Sequence, residues 1–436
     1  MKTKQTKRWH LRAFTARNLA ALVMAVALSA CVAQSARPGQ AEPPTATPDA
    51  WQRAQRAAQT PQAGTAAATA VATPDANAIA DAISADSGSL AQALSLVPDT
   101  VELVTFTDWA LVKQSADAGD VTSQSDETQQ ADLVKWLKEQ TPFAAYGFTQ
   151  ISTHAGDWGW NSLDVVWEVA TRVGDNPVYV LKLRDDLDLD AIYKHFTDRK
   201  FQRFTYQGAT VFAFNSGMPG AGGADWTTTT QRSIYTTGVL EDQKVLIMSY
   251  QPRNVQAILD LNAGLAKSLG ESDEIKSTSA VLAEKPSVFM AKASFTCKSL
   301  DTWAKDLGIT GDAIGRFKET FSTEPVHAYS VFGMGYAHEG DTVVGTVVMH
   351  YEKAEDAKAD QAARENDLRQ GMSLNNGQPY TSLLTLDSVT VQGNDLVLQV
   401  LPVNNSPKTL WSMITRQDMA YARCPQAIEP RPSSQG

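Results

Sequence analysis

The chain has 436 residues, 48 acidic and 38 basic, with a formal charge of −10 when the histidines are neutral. At 43% hydrophobic, a chain this long can bury more than one core. Its acidic excess argues against nucleic acid or an anionic lipid surface as the partner, because both recruit clustered cations.

Lys2, Lys4, Lys7, Arg8, Arg12 and Arg17 precede Cys31, and no acidic residue does. They lead into an apolar run over 19–30, too short to cross a ~30 Å hydrocarbon core as a resident helix. A basic start, a short apolar stretch and small residues at its end are the parts of a secretory signal. Leu28-Ser29-Ala30-Cys31 resembles the bacterial lipobox at all four positions. That resemblance implies cleavage after Ala30, a diacylglyceryl group on the Cys31 thiol and acylation of the new amino group. One acyl chain holds a protein marginally, whereas two or more anchor it stably. Val32 follows Cys31, so the aspartate that retains some lipoproteins in the inner membrane is absent. The expected location is extracytoplasmic, at the outer face of the cell membrane, or in the outer membrane of a two-membrane envelope. Without residues 1–30 the chain keeps 32 basic and 48 acidic residues, a charge of −16.

The two remaining cysteines, Cys297 and Cys424, allow one pairing in an exported compartment. Closing a loop of that length stabilises by at most roughly 4–5 kcal/mol on the chain-entropy model. The alternative is a pair of free thiols.

Residues 31–86 are dominated by Ala, Pro, Thr and Gln and carry few large apolar side chains. Such a segment cannot offset its ordering entropy by burial and reads as a disordered tether. Its r.m.s. reach is roughly 40 Å. From about residue 90 the texture becomes α+β. In a first half, 87–278, a strand over 101–106 follows Pro98, and Leu133, Val134 and Leu137 lie at helical spacing. Val165, Trp167 and Val169 alternate, and Tyr179, Leu181 and Leu183 form a return strand. Asp188 can cap a helix with the stripe Leu189, Ile192, Tyr193 and Phe196. Short strands meet at Gln207-Gly208 and around 241–243, and Val255, Ile258 and Leu259 mark a closing helix.

A second half, 279–424, shows nearly the same order. Strands over 288–295, 329–336 and 343–351 precede an Ala-rich helix over 354–369. Strands over 383–391 and 396–401 turn at Gly393-Asn394, and Leu410, Met413 and Ile414 mark a last helix. Residues 425–436 read as a disordered tail. The expected fold is α+β, two similar halves with mainly antiparallel sheets and helices packed on one face. The body also resembles a group of duplicated extracytoplasmic bacterial proteins. In that group a Leu-x-Pro-Asp segment leads into the first strand and a Tyr-x-Gly turn precedes a short one. Leu96-Val97-Pro98-Asp99 and Tyr206-Gln207-Gly208 are the matches. This resemblance implies the fold and no activity.

No catalytic constellation stands out, so a non-catalytic role is expected. The acidic run Arg184-Asp185-Asp186-Leu187-Asp188-Leu189-Asp190 lacks the glycine and glutamate of a calcium loop and suits a helix N-terminus better. No histidine pair has metal-binding spacing, and no cofactor motif is present. Asn215-Ser216-Gly217 lacks a nucleophile elbow, and the glycine-rich loop 217–223 lacks the lysine of a phosphate loop. Trp158 and Trp160 lie two apart, on one face if extended, with Trp226 ending the glycine-rich loop. They can either stack on a flat ligand or plug the end of a core. The expected function is therefore a surface lipoprotein that binds a ligand, with a small molecule or a protein as partner. Alternatives are an envelope scaffold acting through protein contacts and a transporter-linked solute receptor.

Overall fold

A computed structural model describes residues 88–425, apart from 141, 147, 149, 150, 174, 175, 215–233, 307 and 374. The expected signal, Cys31, the expected tether, Trp226 and residues 426–436 of the expected tail lie outside the described residues. Twelve strands form one sheet: β1 (Leu103–Asp108), β2 (Val165–Val173), β3 (Asn176–Leu183), β4 (Gln202–Tyr206), β5 (Ala209–Ala213), β6 (Thr236–Leu240), β7 (Val245–Ser249), β8 (Ser287–Lys292), β9 (Val331–Glu339), β10 (Thr342–His350), β11 (Leu384–Gln392) and β12 (Asp395–Pro402). Their order is β11-β12-β10-β9-β8-β1-β2-β3-β7-β6-β5-β4. Every pairing in it is antiparallel.

Among the described residues twelve α-helices surround the sheet. The first half supplies α1 (Ser89–Ser95), α2 (Trp109–Gln114), α3 (Glu127–Gln140), α4 (Ile151–Trp158), α5 (Leu189–Asp198) and α6 (Pro252–Asn262). Then come α7 (Asp273–Leu282), α8 (Ala293–Thr296), α9 (Leu300–Asp306), α10 (Asp312–Lys318), α11 (Ala354–Gln370) and α12 (Pro407–Thr415). The α+β class and antiparallel pairing expected from sequence are what the chain adopts. Two features differ. The halves share a single sheet, and helices cover both of its faces: α1, α6 and α7 pack on one, the remainder on the other. The strand expected over 288–295 also ends early, at Lys292, where α8 begins.

Local sequence explains the elements. The stripe of α5 is wholly buried, and the Asp188 side chain caps it by accepting from the Asp190 amide at 2.9 Å. Each such apolar residue contributes roughly 1.5–3 kcal/mol when fully buried. The hairpin β4–β5 turns on Gln207 and Gly208, both at positive φ (49° and 78°), the geometry that matches the twist of paired strands. Leu96 and Val97 enter the core, and Pro98 bridges to Ser268 at the chain's return from α6. At Gly333 of β9 a Cβ would fall 2.7 Å from Leu282 and 2.8 Å from Thr278 of α7. Only glycine lets that helix lie so close. Helix α7 packs on β9 and β10 and also meets α1.

Helix α11 has an unusual interior. Its buried positions include Asp360, Arg364 and Asp367 beside Ala357, Ala363 and Leu368. Arg364 and Asp360, both with fully buried side chains, pair at 3.2 Å, and Arg423 reaches Asp367 at 2.8 Å. Asp360 also accepts from the His327 amide and from the Tyr351 hydroxyl at 3.0 Å, while Arg364 donates to the carbonyls of His327, Tyr421 and Arg423. The network pins the loop before β9 and the chain's end to one helix. Beside it, Cys297 and Cys424 form a disulfide with Cα atoms 5.2 Å apart, as the cysteine count allowed.

Removing one member of a buried charge pair strands the other without water, which typically costs about 3–5 kcal/mol. Arg364→Ala should therefore lower unfolding stability by about that amount in a urea titration. A loss under about 1 kcal/mol would show that Asp360 finds compensation elsewhere.

Candidate functional site

The expected tryptophan face is not open. Trp158 ends α4 and Gly159 takes φ of 81°, so the two rings diverge instead of sharing one side of an extended segment. Trp160 is fully buried, 4.5 Å from the His154 ring and stacked 6.0 Å from Tyr146. Trp158 packs on Phe196 and Phe201, with the Arg199 guanidinium 4.8 Å above its ring. Both rings are core. The acidic run is spent locally: Asp188 caps α5, Lys182 meets Asp185, and Arg184 meets Asp186 and Asp164. Among the described residues no group of three or more His, Cys, Asp or Glu is placed to hold a metal ion.

Around Trp160 the sheet carries titratable groups that sequence reasoning missed. Glu168 of β2 is buried under the residues that follow α3 and accepts the Tyr146 amide at 2.9 Å through Oε1. Its Oε2 has no hydrogen-bond partner among the described residues. Burial raises this carboxyl to about 8, against the opposing pull of the Tyr146 amide and the Trp109 indole. The indole N–H itself closes no hydrogen bond of normal geometry. His154 is displaced the other way. Burial lowers it to about 4, although its Nδ1 lies 2.8 Å from the Trp160 carbonyl. Both groups are buried and hydrogen-bonded to backbone, which makes them internal pins.

The groups that do open on a cavity lie at the other end of the chain. A cleft of about 520 Å³ is lined by Asp273, Glu274 and Ser277 of α7, by His350 and Glu352, and by the β11–β12 turn. His350 ends β10 and Asp395 begins β12, where the two are direct cross-strand partners. His350 Nδ1 lies 2.9 Å from Asp395 Oδ1, and the Ser277 hydroxyl donates to Asp395 Oδ2 at 2.5 Å. Asn394 secures the rim, its amide donating to the Glu352 carbonyl and its carbonyl accepting from Tyr351. Serine, aspartate and histidine meet here, but the aspartate stands between the other two. In a nucleophilic relay the histidine must bridge serine and acid. The arrangement holds His350 in place and does not activate Ser277. In the sequence His350 was legible only as a residue near a strand end. Both strands carry other polar residues, Thr346 in β10 and Gln399 in β12, so a polar strand end gave no distinguishing signal.

Comparisons with known proteins add little. No protein-family profile and no curated protein matches the chain. Among solved structures, crystal forms I, III and IV of TP0453 align over 74–76% of this chain and 96–100% of theirs. Identity is 7–9% and the TM-scores are 0.32–0.34, a likeness too slight to bear on function.

Glu168 has a consequence for stability. A carboxyl raised in the folded state binds more protons than its unfolded counterpart between about 4.5 and 8, so stability falls as pH rises through that window. His154, lowered to about 4, adds stability as pH rises from 4 to 6.5 and partly masks the decline there. Between pH 6.5 and 8 the Glu168 slope, at most about 1.4 kcal/mol per pH unit, stands unopposed by His154. Denaturant titrations should show that decline in the natural protein and a flatter one in Glu168→Gln. Parallel curves for the two would mean that Glu168 is already ionised when folded.

Proposed function

We propose that the chain is a lipoprotein, held at the outer face of a bacterial cell membrane by acylated Cys31, whose body binds a ligand at the α7–β10–β12 cleft. The observation that carries the reading is a pairing of two independent features. The lipobox at Cys31 belongs to an exported protein, and the body holds a buried disulfide, a bond that persists in oxidising compartments. The cleft supports the binding half of the proposal. Its volume falls within the range of small-molecule sites, about 300–1,000 Å³, and its polar groups converge from three rigid elements. No described helix is long and apolar enough to cross a membrane, so within the described residues nothing competes with the lipid as anchor. The order of strands outward from β1 and from β8 supports reading the body as an internal duplication. On each side three strands are followed by a helix and a pair of strands inserted in reverse, with β4–β5 as an addition to the first half.

Cys31→Ala, expressed in a bacterium that processes lipoproteins, should move the protein from the membrane fraction to the soluble extracytoplasmic fraction. Metabolic labelling with a fatty acid should be lost in the same variant. Retention in the membrane by the unlabelled variant would defeat the anchor.

A further inference from the structure

We infer that residues 143–146 form a pH-sensitive strap over the seam between the two halves, shut while the Glu168 carboxyl is neutral and lifted when it ionises.

The strap has no helix or strand of its own and crosses three strands. The Phe143 amide donates to Ser287 of β8 at 3.4 Å, the Ala144 amide to Thr107 of β1 at 3.0 Å, and the Tyr146 amide to Glu168 of β2 at 2.9 Å. Ser162 donates to the Tyr146 carbonyl at 2.8 Å. Of the three side chains that receive strap amides, Glu168 alone can carry a charge at ordinary pH. It is 1% exposed, its Oε1 has the single amide, and its Oε2 has no partner among the described residues. The groups that act on it are that amide and the Trp109 indole of α2, neither of them a cation. Its cross-strand neighbours are Thr107 and Leu181. On α2, Asp108 caps the helix and Lys113 donates to the carbonyls of Val121 and Leu163, so both are engaged elsewhere.

A buried carboxylate is stable when several donors or a cation face it. With one amide the charged form is costly, whereas the neutral acid leaves only a hydroxyl unsatisfied. Burial accordingly raises the carboxyl to about 8. Once ionised, Glu168 gains by meeting water, and either β2 or the strap has to give way. Strand β2 is held by ladders to β1 and β3 on its two sides. The strap is held by the four bonds above and by two rings, Phe143 against Tyr336 and Trp411, and Tyr146 against Tyr179 and Trp160. Lifting the strap is the smaller loss. It also loosens a tie between the halves, because Phe143 packs on the second and Tyr146 on the first.

The other titratable groups at the strap are Tyr146 itself, Tyr179, His154 against the Tyr146 ring, and Tyr336 and His338, which bond Gln140. Burial pushes Tyr146 and Tyr336 farther up and holds both histidines below their ordinary value, His154 at about 4. Both histidines therefore titrate below the range from pH 6.5 to 8, in which Glu168 acts. A carboxyl raised in the shut state favours shutting at low pH and loses that effect as pH rises toward its own value.

The test is amide hydrogen exchange of the full mature protein in detergent, resolved to single residues, between pH 6.5 and 8 and in low concentrations of urea. The protection of Ala144 and Tyr146, corrected for the intrinsic rate, should fall about tenfold or more across that range. Because a lifted strap exposes little surface, their exchange should respond weakly to urea. Leu181, laddered on both sides, should stay more protected and respond to urea as the whole fold does. In Glu168→Gln the protection of Ala144 and Tyr146 should change less than about twofold with pH. Protection of the strap amides equal to that of Leu181, with the same urea response, would overturn the strap, since opening would then be global unfolding. This comparison needs only the natural protein, so it stands if the variant does not fold. Constant strap protection in the natural protein, or an undiminished fall in a folded Glu168→Gln, would overturn the role of Glu168.

Discussion

The pairing of β1 with β8 is the constraint on which the whole architecture depends. Five residue pairs, from Leu103 with Ala291 to Thr107 with Ser287, join strands nearly two hundred residues apart. Without them each half would end in an open sheet edge, with a row of unpaired backbone groups. With them the first half's strands continue into the second's, and a single apolar layer under α1, α6 and α7 runs across the join. The opposite face is handled differently. There the apolar clusters of the two halves are distinct, and Thr105, Thr107, Ser287 and Glu168 form a polar strip between them. Polar side chains at the centre of a sheet are costly unless bonded. The residues after α3 meet that need: the Ala144 amide donates to Thr107 at 3.0 Å and the Tyr146 amide to Glu168. Gln140 receives Tyr336 and His338 from the other half. Phe143, although it precedes β2, packs on Tyr336 and Trp411 of the second half. One irregular segment thus fastens both halves across a seam that apolar packing leaves open.

Specific polar pins recur wherever the chain must be held without regular structure. Helix α11 turns Asp360, Arg364 and Asp367 inward because its neighbours there are not strands but the loop before β9 and the last turns of the chain. Such backbone has carbonyls and amides that no ladder satisfies, and buried charged side chains can satisfy several each. The disulfide lies beside this network and closes the same region covalently. Together they explain how a C-terminal segment with only a short 3-10 turn, Ala420–Ala422, is fully buried.

How much of this was legible follows from the range of each interaction. Strand alternation, the stripe and cap of α5 and the Gln207-Gly208 turn are local, and the sequence shows them directly. The pairings β3–β7 and β10–β12 reverse the chain order, and the β1–β8 join spans both halves, so periodicity is silent about all three. Trp158 and Trp160 take the core alternative of the two that their spacing allowed, for a local reason. Their two-residue spacing implies a shared face only in extended backbone, and Gly159 is left-handed. Helix α11 misleads in the opposite sense. Its alternation of alanine with Asp, Glu, Arg and Lys looks like a solvated helix, and nothing local says that three of those charges face inward.

The cleft is invisible in sequence for the same reason that gives it interest. His350 and Asp395 lie forty-five positions apart and touch only because β12 inserts beside β10 while β11 is pushed to the sheet edge. Ser277 reaches them from a helix that precedes both strands by a long stretch of chain. Three rigid elements therefore place a histidine and an aspartate on the sheet face that carries Val348 and Val397, just beyond that apolar pair. A buried pair of this kind adds little to net stability over a well-packed apolar pair. Farther along that face Val348 pairs with Val397 and then Thr346 with Gln399, whose side chains hydrogen-bond, so His350–Asp395 is the second polar cross-strand pair between these two strands. Hydrogen-bonded to each other and, through Asp395, to Ser277, His350 and Asp395 fasten α7 to the adjoining ends of both strands.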